Sequence, residues 1–237
     1  MIVSIMQPAF LPWLGYFNRL ALSDVHIVLD HVQLDKSSKT NFANRNKIRT
    51  REGWCWLTVP ILRKGRSGQL ALNDIEISPG TDWGERAWAS ISHNYGKAPF
   101  FASYRDRFEA IFQTKHERLI DVAVATTEAL RDAFGIEVPT RYSSELRPAH
   151  AKDTLILELV QQVGGTRYVS GPFGRDYLDA QRFQQAGIEL MFHDYVHPHY
   201  NQVFDGFEPY MSALDLLFNC GPDARTILTA SSDLKRS

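Results

Sequence analysis

Cysteine is scarce: the 237 residues hold two, Cys55 and Cys220, far apart and each among apolar neighbours. A disulfide scaffold needs more of them, and no Cys-x-x-Cys pair suggests zinc or redox work, so both are expected as buried free thiols. Long apolar runs are missing too. No stretch approaches the ~20 residues that span a bilayer, and the opening MIVSIMQPAF lacks the basic segment and apolar core of a secretory signal. The expectation is a cytoplasmic protein without a membrane span. Net charge is small, with 26 Lys and Arg against 27 Asp and Glu, which argues against nucleic-acid binding driven by bulk charge. No serine sits in a Gly-x-Ser-x-Gly elbow and neither cysteine has a convincing base, so a covalent intermediate is not expected.

What is present reads as a globular α/β chain. Hydrophobic residues make up 44% and charged residues 22%, an ordinary balance for a chain able to bury a sizeable core. Met1 to Met6 reads as a buried strand ended by Gln7-Pro8. WLGYFNRLALSD carries apolar residues at helical spacing, and VHIVLDHVQL returns to strand alternation. Strand, helix, strand within thirty residues predicts a parallel βαβ unit. WCWLTVPIL and LALNDIEIS, joined by the turn-rich KGRSG, predict a hairpin. Trp83 to Gly135 reads as a helical middle, broken once at Pro99 and closed by Gly135. The final third alternates: TRYSSEL as a strand, AKDTLILELVQQVGG as a helix, TRYVSG as a strand, LDAQRFQQAG as a helix, IELMFHDYV as a strand, and a helix from near Ser212. The predicted fold is a mainly parallel, Rossmann-like sheet flanked by helices, with an inserted β-hairpin and a helical middle segment. Residues 1–225 are expected to form one domain and 226–237 a frayed C-terminal tail.

Four stretches carry residues suited to chemistry. Gln7, Trp13, Gly15 and Tyr16 lie between the first strand and its helix, where open parallel sheets place ligands. Gln7 and Tyr16 would offer directional hydrogen bonds and Trp13 a stacking face; a loop shaped by Pro8 and Pro12 over core aromatics is the competing reading. From Lys36 to Arg66 nine cations (Lys36, Lys39, Arg45, Lys47, Arg49, Arg51, Arg63, Lys64, Arg66) face one acid, Glu52. A solvated basic face explains that much. Asn44, Arg45 and Asn46 add a planar guanidinium between two amides, which suits phosphate or carboxylate with sugar hydroxyls; an RNA backbone would fit as well.

In YVSGPFGRDYL, Ser170, Gly171 and Gly174 form a tight turn after a strand, where backbone amides can approach an anion. The pattern is neither a P-loop nor a dinucleotide fingerprint. HDYVHPHYNQ brings His193, His197 and His199 within seven residues. Pro198 interrupts a regular strand and no Cys, Asp or Glu is spaced to complete a zinc tetrahedron, so a general base is preferred to a metal site. Asp30, at the end of a buried strand, could orient a histidine or bind a ribose hydroxyl. Asp215, on an otherwise apolar helix, reads as an internal partner for a basic residue.

Taken in order, MQPAFLPWLGYF, SDVHIVLDHVQLDK, NRNKIRT, WLTVP, YGKAPFF, YVSGPFGRDYL, HYNQ and SALDLLFNCG resemble the WbqC-like family from about Val3 to Gly221. His31 stands where the family pattern carries a second acidic residue, and its tryptophan-asparagine-arginine stretch is spread out here as TNFANRNK. The family is associated with bacterial surface-polysaccharide gene clusters, including O-antigen clusters. The resemblance implies transfer of an acyl or aminoacyl group to an amino sugar carried on a nucleotide, with an acyl carrier or aminoacyl-tRNA as donor. It also makes His199, beside Tyr200 and Gln202 as substrate contacts, the preferred base over His197; Asp30, from its place at the end of a buried strand, is expected as its catalytic companion. The strand-loop-helix layout is similar to that of nucleotidylyltransferases, but Trp13 and Tyr16 stand where those enzymes carry paired histidines. Nucleotidyl transfer or adenylation, and non-catalytic nucleotide-sugar or RNA binding, stay open as alternatives.

Overall fold

Val3 and Ile5 project from one side of the first strand and Ser4 and Met6 from the other, and that alternation sets two layers around the sheet. The computed structural model describes residues 1–34, 42–62, 70–80, 82–230 and 232–236. In chain order, β1 (Ile2–Met6) leads through α1 (Leu14–Ala21) to β2 (Val25–Val28), and β3 (Arg45–Thr50) and β4 (Gly53–Thr58) follow. The middle holds α2 (Trp83–Tyr95), α3 (Phe101–Gln113) and α4 (Leu119–Ala133). Next come β5 (Thr140–Tyr142), α5 (Ser143–Leu146), α6 (Lys152–Gln162), β6 (Arg167–Ser170) and α7 (Ala180–Gln185). The described chain ends with β7 (Glu189–Tyr195), α8 (Ala213–Cys220), α9 (Ala224–Thr229) and β8 (Ser232–Arg236).

The central sheet runs β5-β2-β1-β6-β7-β8. All pairings are parallel except β7 with β8. Val3 lies opposite Val25 on one side and Tyr168 on the other. The strand order reverses at β1: the chain first builds outward through β2 and β5, then returns to add β6 and β7 on the opposite flank. Helices after these two sets of strands diverge there, leaving a crevice beyond the carboxyl ends of β1 and β6. This is the Rossmann-like arrangement expected from the sequence.

One face of the sheet packs Val3, Ile5, Ile27, Tyr168, Leu190 and Phe192 against Leu155, Ile156 and Leu159 of α6 and Phe183 of α7. The larger core on the other side joins Leu14, Phe17 and Leu20 of α1 to the helical middle and to α8, whose residues Ala213 to Asn219 are all buried. Helix α8 starts where expected: the Ser212 hydroxyl accepts from the Leu214 amide at 3.2 Å. Gly135 closes α4 with φ +62°, a left-handed position that favours glycine.

Four local readings are corrected. The hairpin is present, but WCWLTV pairs with NRNKIRT rather than with LALNDIEIS. The chain reverses at Arg51-Glu52 with Gly53 at φ +126°, so the tight turn lies before the tryptophans. LALNDIEIS instead forms a 3-10 turn at Leu72–Asp74 and isolated bridges such as Ile61 with Ile77. The helical middle breaks twice, because Thr114 is extended (ψ 131°) as well as at the Pro99 turn. In TRYSSEL only Thr140–Tyr142 is strand, and Ser143 turns at once into α5. The C-terminal stretch, expected to fray, contains α9 and the sheet's edge strand β8. Cys55 and Cys220 are free thiols, as expected, though each is only partly buried.

Candidate functional site

A cleft of about 620 Å³ opens at the crevice where the strand order reverses. Ile5 to Ala9 line it from β1 and the loop beyond, Ser170 to Gly174 from the end of β6, and His193 and Tyr195 from β7. Trp13, Gly15 and Arg19 close it from the α1 side. Gly15 and Arg19 are four residues apart and share one helix face. Phe173, Tyr177 and Tyr210, all exposed, form the rim. The size falls within the roughly 300–1,000 Å³ of small-molecule pockets.

Charge in the cleft is one-sided. Among the described residues no aspartate or glutamate lines it, whereas Arg19 does. The Arg19 Nε donates to the Met6 thioether at 3.2 Å, a weak acceptor, and no carboxylate pairs with its guanidinium among the described residues. Burial works against its charge and lowers its pKa, yet a guanidinium stays protonated. The acid nearest in sequence to the cleft histidine, Asp194, is committed elsewhere: Arg175 holds it in a two-pronged pair at 2.9 and 3.1 Å, and Lys235 lies 3.1 Å away. A cation removed from water without a counter-ion is costly, and an incoming anion repays that cost.

The Ser170 turn is built to let the guanidinium in. A Cβ on Gly171 would lie 2.8 Å from Arg19 Nη1, and one on Gly174 would lie 2.0 Å from Ser170 Oγ. The contact at Gly174, which also brings Ser170 Cβ to 3.0 Å, leaves little room for a side chain, whereas the one at Gly171 meets the movable end of Arg19. A second unmet group belongs to a residue of the same lining: the Tyr195 hydroxyl is buried and has no hydrogen-bond partner among the described residues. Burial raises its pKa, which keeps it a neutral donor.

Three histidines sit together in sequence but differ in availability. His197 is satisfied at both nitrogens, with Nδ1 donating to Pro198 O at 2.8 Å and Nε2 accepting the Tyr210 amide at 3.1 Å. His199 is exposed, packs on Phe207 at 4.2 Å between ring centroids, and does not line the cleft. His193 is different. Its Nε2 lies 2.6 Å from Asn18 Oδ1, and Asn18 is fixed in that orientation because its Nδ2 donates to Leu228 O at 2.8 Å. Nε2 therefore carries the proton and Nδ1 the lone pair. Burial first, then Arg19, pushes its pKa down to about 4. Among the described residues no three His, Cys, Asp or Glu side chains converge to hold a metal.

Of the residues singled out from sequence, Gln7, Trp13, Gly15, Ser170, Gly171, Gly174, His193 and His197 share the cleft. The others among the described residues do not line it. Tyr16 is buried with its hydroxyl 3.2 Å from His26 Nε2, and His26 Nδ1 contacts Ser4 Oγ at 3.0 Å. Asn44 and Asn46 are buried and use their amides on Val59 O and Leu11 O. Arg45 lies over Trp56 at 4.4 Å on the outer face of the hairpin, next to Lys47 over Trp54. Tyr200 and Gln202 both donate to Asp215 Oδ2 at 2.8 Å, and Tyr95 donates to its other oxygen. Asp215 thus anchors a core network that reaches Arg49 through Gln202 Oε1 at 3.2 Å. Asp30 is buried and saturated: Ser143 Oγ, Ser144 N and Ser144 Oγ all donate to it, at 2.9, 2.9 and 2.6 Å. It pins the end of β2 to the start of α5. Lys36, Lys39, Arg63, Lys64 and Arg66 lie outside the described residues.

The structure adds Arg19 and Tyr195, which the sequence reading passed over. On the sequence Arg19 looks like an ordinary last-turn cation of an amphipathic helix. Only the pairing of β1 with β6 brings Gly171 against it.

Fold and cleft define an α/β protein with a crevice of small-molecule size at its strand-order reversal. The chain matches the model of the WbqC-like protein family over residues 7–227 and belongs to that family. It is 35% identical over 224 residues to a Mycobacterium tuberculosis (strain ATCC 25618 / H37Rv) protein described as "Uncharacterized protein Rv1507c", covering 94% of this chain and 95% of the relative. No solved structure matches the chain. No helix among the described residues is long and apolar enough to cross a membrane.

Proposed function

We propose that the cleft binds a nucleotide-linked amino sugar through its phosphate groups, and that the protein transfers an acyl or aminoacyl group onto it during surface-polysaccharide biosynthesis. The observation that carries this reading is Arg19, a partly buried cation with no carboxylate partner among the described residues, in a crevice whose described lining holds no aspartate or glutamate. The exposed aromatics at the rim suit a base or sugar ring, and the association of the WbqC-like family with polysaccharide gene clusters supports the biosynthetic setting.

In this reading His193, rather than His199, serves as base. The amino nitrogen attacks the acyl carbonyl, the new C–N bond forms, and the bond to the donor's leaving group breaks. The proton lost by nitrogen passes to His193 Nδ1 and then to the leaving group. A base with a pKa near 4 is weak, which suits proton removal after attack, when the nitrogen has become acidic.

The test is calorimetry with UDP-linked amino sugars and the same sugars lacking UDP, followed by mass spectrometry of incubations with acyl and aminoacyl donors. The expected result is saturable binding only with UDP, at least tenfold weaker in Arg19→Met, and an acylated sugar nucleotide lost in His193→Asn. Equal affinity in Arg19→Met would remove the anion site. Binding without product would favour a carrier role, and pyrophosphate release from ATP would favour adenylation.

A further inference from the structure

A second hollow of about 450 Å³ adjoins the cleft, and Gln7, Leu29, Ile156 and Tyr177 line both. Its remaining lining is Val32, Leu155 and Lys152. The chemistry of the two spaces differs. The cleft is lined by Arg19, which has no carboxylate partner among the described residues, by His193 and His197, and by Tyr195. The side chamber is walled by aliphatic groups from the end of β2 and from α6, and among the described residues its single charged lining residue is Lys152, at the exposed start of α6.

Two of these aliphatic groups, Leu29 and Val32, are only partly covered by the core they pack against. Four of its seven lining residues are aliphatic, so an apolar group settling against them gains hydrophobic free energy in proportion to the area it covers. Because Gln7 and Leu29 border both spaces, one molecule can occupy them together. We infer that the ligand is bipartite, with an anionic head at Arg19 and an aliphatic arm in the Leu29–Val32–Leu155–Ile156 chamber. This rests on the anion-binding reading above and deepens it: the substrate or donor is an amphiphile whose phosphate-bearing part and alkyl part are separated by the width of Gln7 and Leu29. An acyl chain presented beside its phosphate-linked carrier has that form.

The probes that separate the two ideas are n-alkyl phosphates from ethyl to hexyl, titrated by calorimetry into the full chain. Affinity should rise roughly fourfold for each added methylene until the chamber is filled. Every member of the series should weaken at least tenfold in Arg19→Met. In Val32→Trp, which fills the chamber from a partly exposed position, the chain-length dependence should flatten while ethyl phosphate binds as before. Should Val32→Trp fail to fold by circular dichroism, Ile156→Phe carries the same comparison. Equal binding of ethyl and hexyl phosphate, with both still dependent on Arg19, would overturn the arm and leave the anion site standing. A steep series that survives both filling variants would also overturn it, since the chain would then lie elsewhere. Binding that ignores Arg19 throughout would sink the anion reading itself.

Discussion

His193 Nε2 and Asn18 Oδ1 are 2.6 Å apart, and this single contact fixes the tautomer of the one cleft histidine with a free nitrogen. Asn18 cannot flip without losing Leu228 O. Nitrogen-15 NMR of the imidazole should therefore show Nε2 protonated and Nδ1 bare from pH 8 down to about 5, with no titration near 6.5. Asn18→Leu should release the tautomer and bring mixed populations. A normal midpoint in the wild type would contradict the assigned environment.

Acid stability follows from the same burial. His193 is held down to about 4 and His26 to about 3, both chiefly by desolvation. The unfolded chain takes up protons below about pH 6.5, which the folded chain refuses until those lower values. Protonation thus favours unfolding. The stability is complete above about pH 6.5 and erodes on acidification by up to about 1.4 kcal/mol per pH unit for each histidine. Urea unfolding at pH 7, 6 and 5 should give falling midpoints, with a shallower fall in His193→Asn.

Arg19 should trade stability for binding. Arg19→Met removes a desolvated charge and keeps a stem of similar length, so stability should rise by roughly 1–3 kcal/mol. Denaturant midpoints check this in the same preparation used for ligand titration. A large loss of stability would instead mark Arg19 as a structural group.

Gly174 offers a steric test. A Cβ there meets Ser170 Oγ at 2.0 Å, so Gly174→Ala should cost about 1–3 kcal/mol. Ser170→Ala in the same chain removes the clashing oxygen and should recover part of that cost. Purely additive effects in the double-mutant cycle would mean that the turn relaxes by another route.

Asp30 separates a latch from a catalytic acid. Asp30→Ala strands the donors of Ser143 and Ser144 and should lower stability by about 2–3 kcal/mol. Ligand affinity measured well below the unfolding transition should stay within twofold of wild type. Lost turnover with unchanged stability would return Asp30 to the chemistry.

The opening strand-helix-strand unit was legible because Val3, Ile5, Leu14, Phe17 and Ile27 follow the two periods that the sheet and helix impose. The Ser170 turn was legible because glycines mark close approach. The hairpin partner was not: in NRNKIRT the outward positions are cations that stack on tryptophans, which hides a strand inside an apparent basic loop. Choosing among the histidines also exceeded the sequence. What distinguishes His193 is Asn18, 175 residues away along the chain, and what occupies His197 is two backbone groups. The family resemblance sets Tyr200 and Gln202 beside His199 as substrate contacts, whereas in the fold their polar groups serve Asp215.

The placement of the tryptophans has an optical consequence. Trp13 borders the cleft and lies 5.0 Å from Phe42, which in turn leads to Trp56 and Trp54 on the hairpin. Trp83 and Trp88 are packed on Phe112, away from that line. Occupation of the crevice should therefore change the emission of one indole against a steady background from the helical core, giving the molecule a built-in, label-free gauge of its own occupancy.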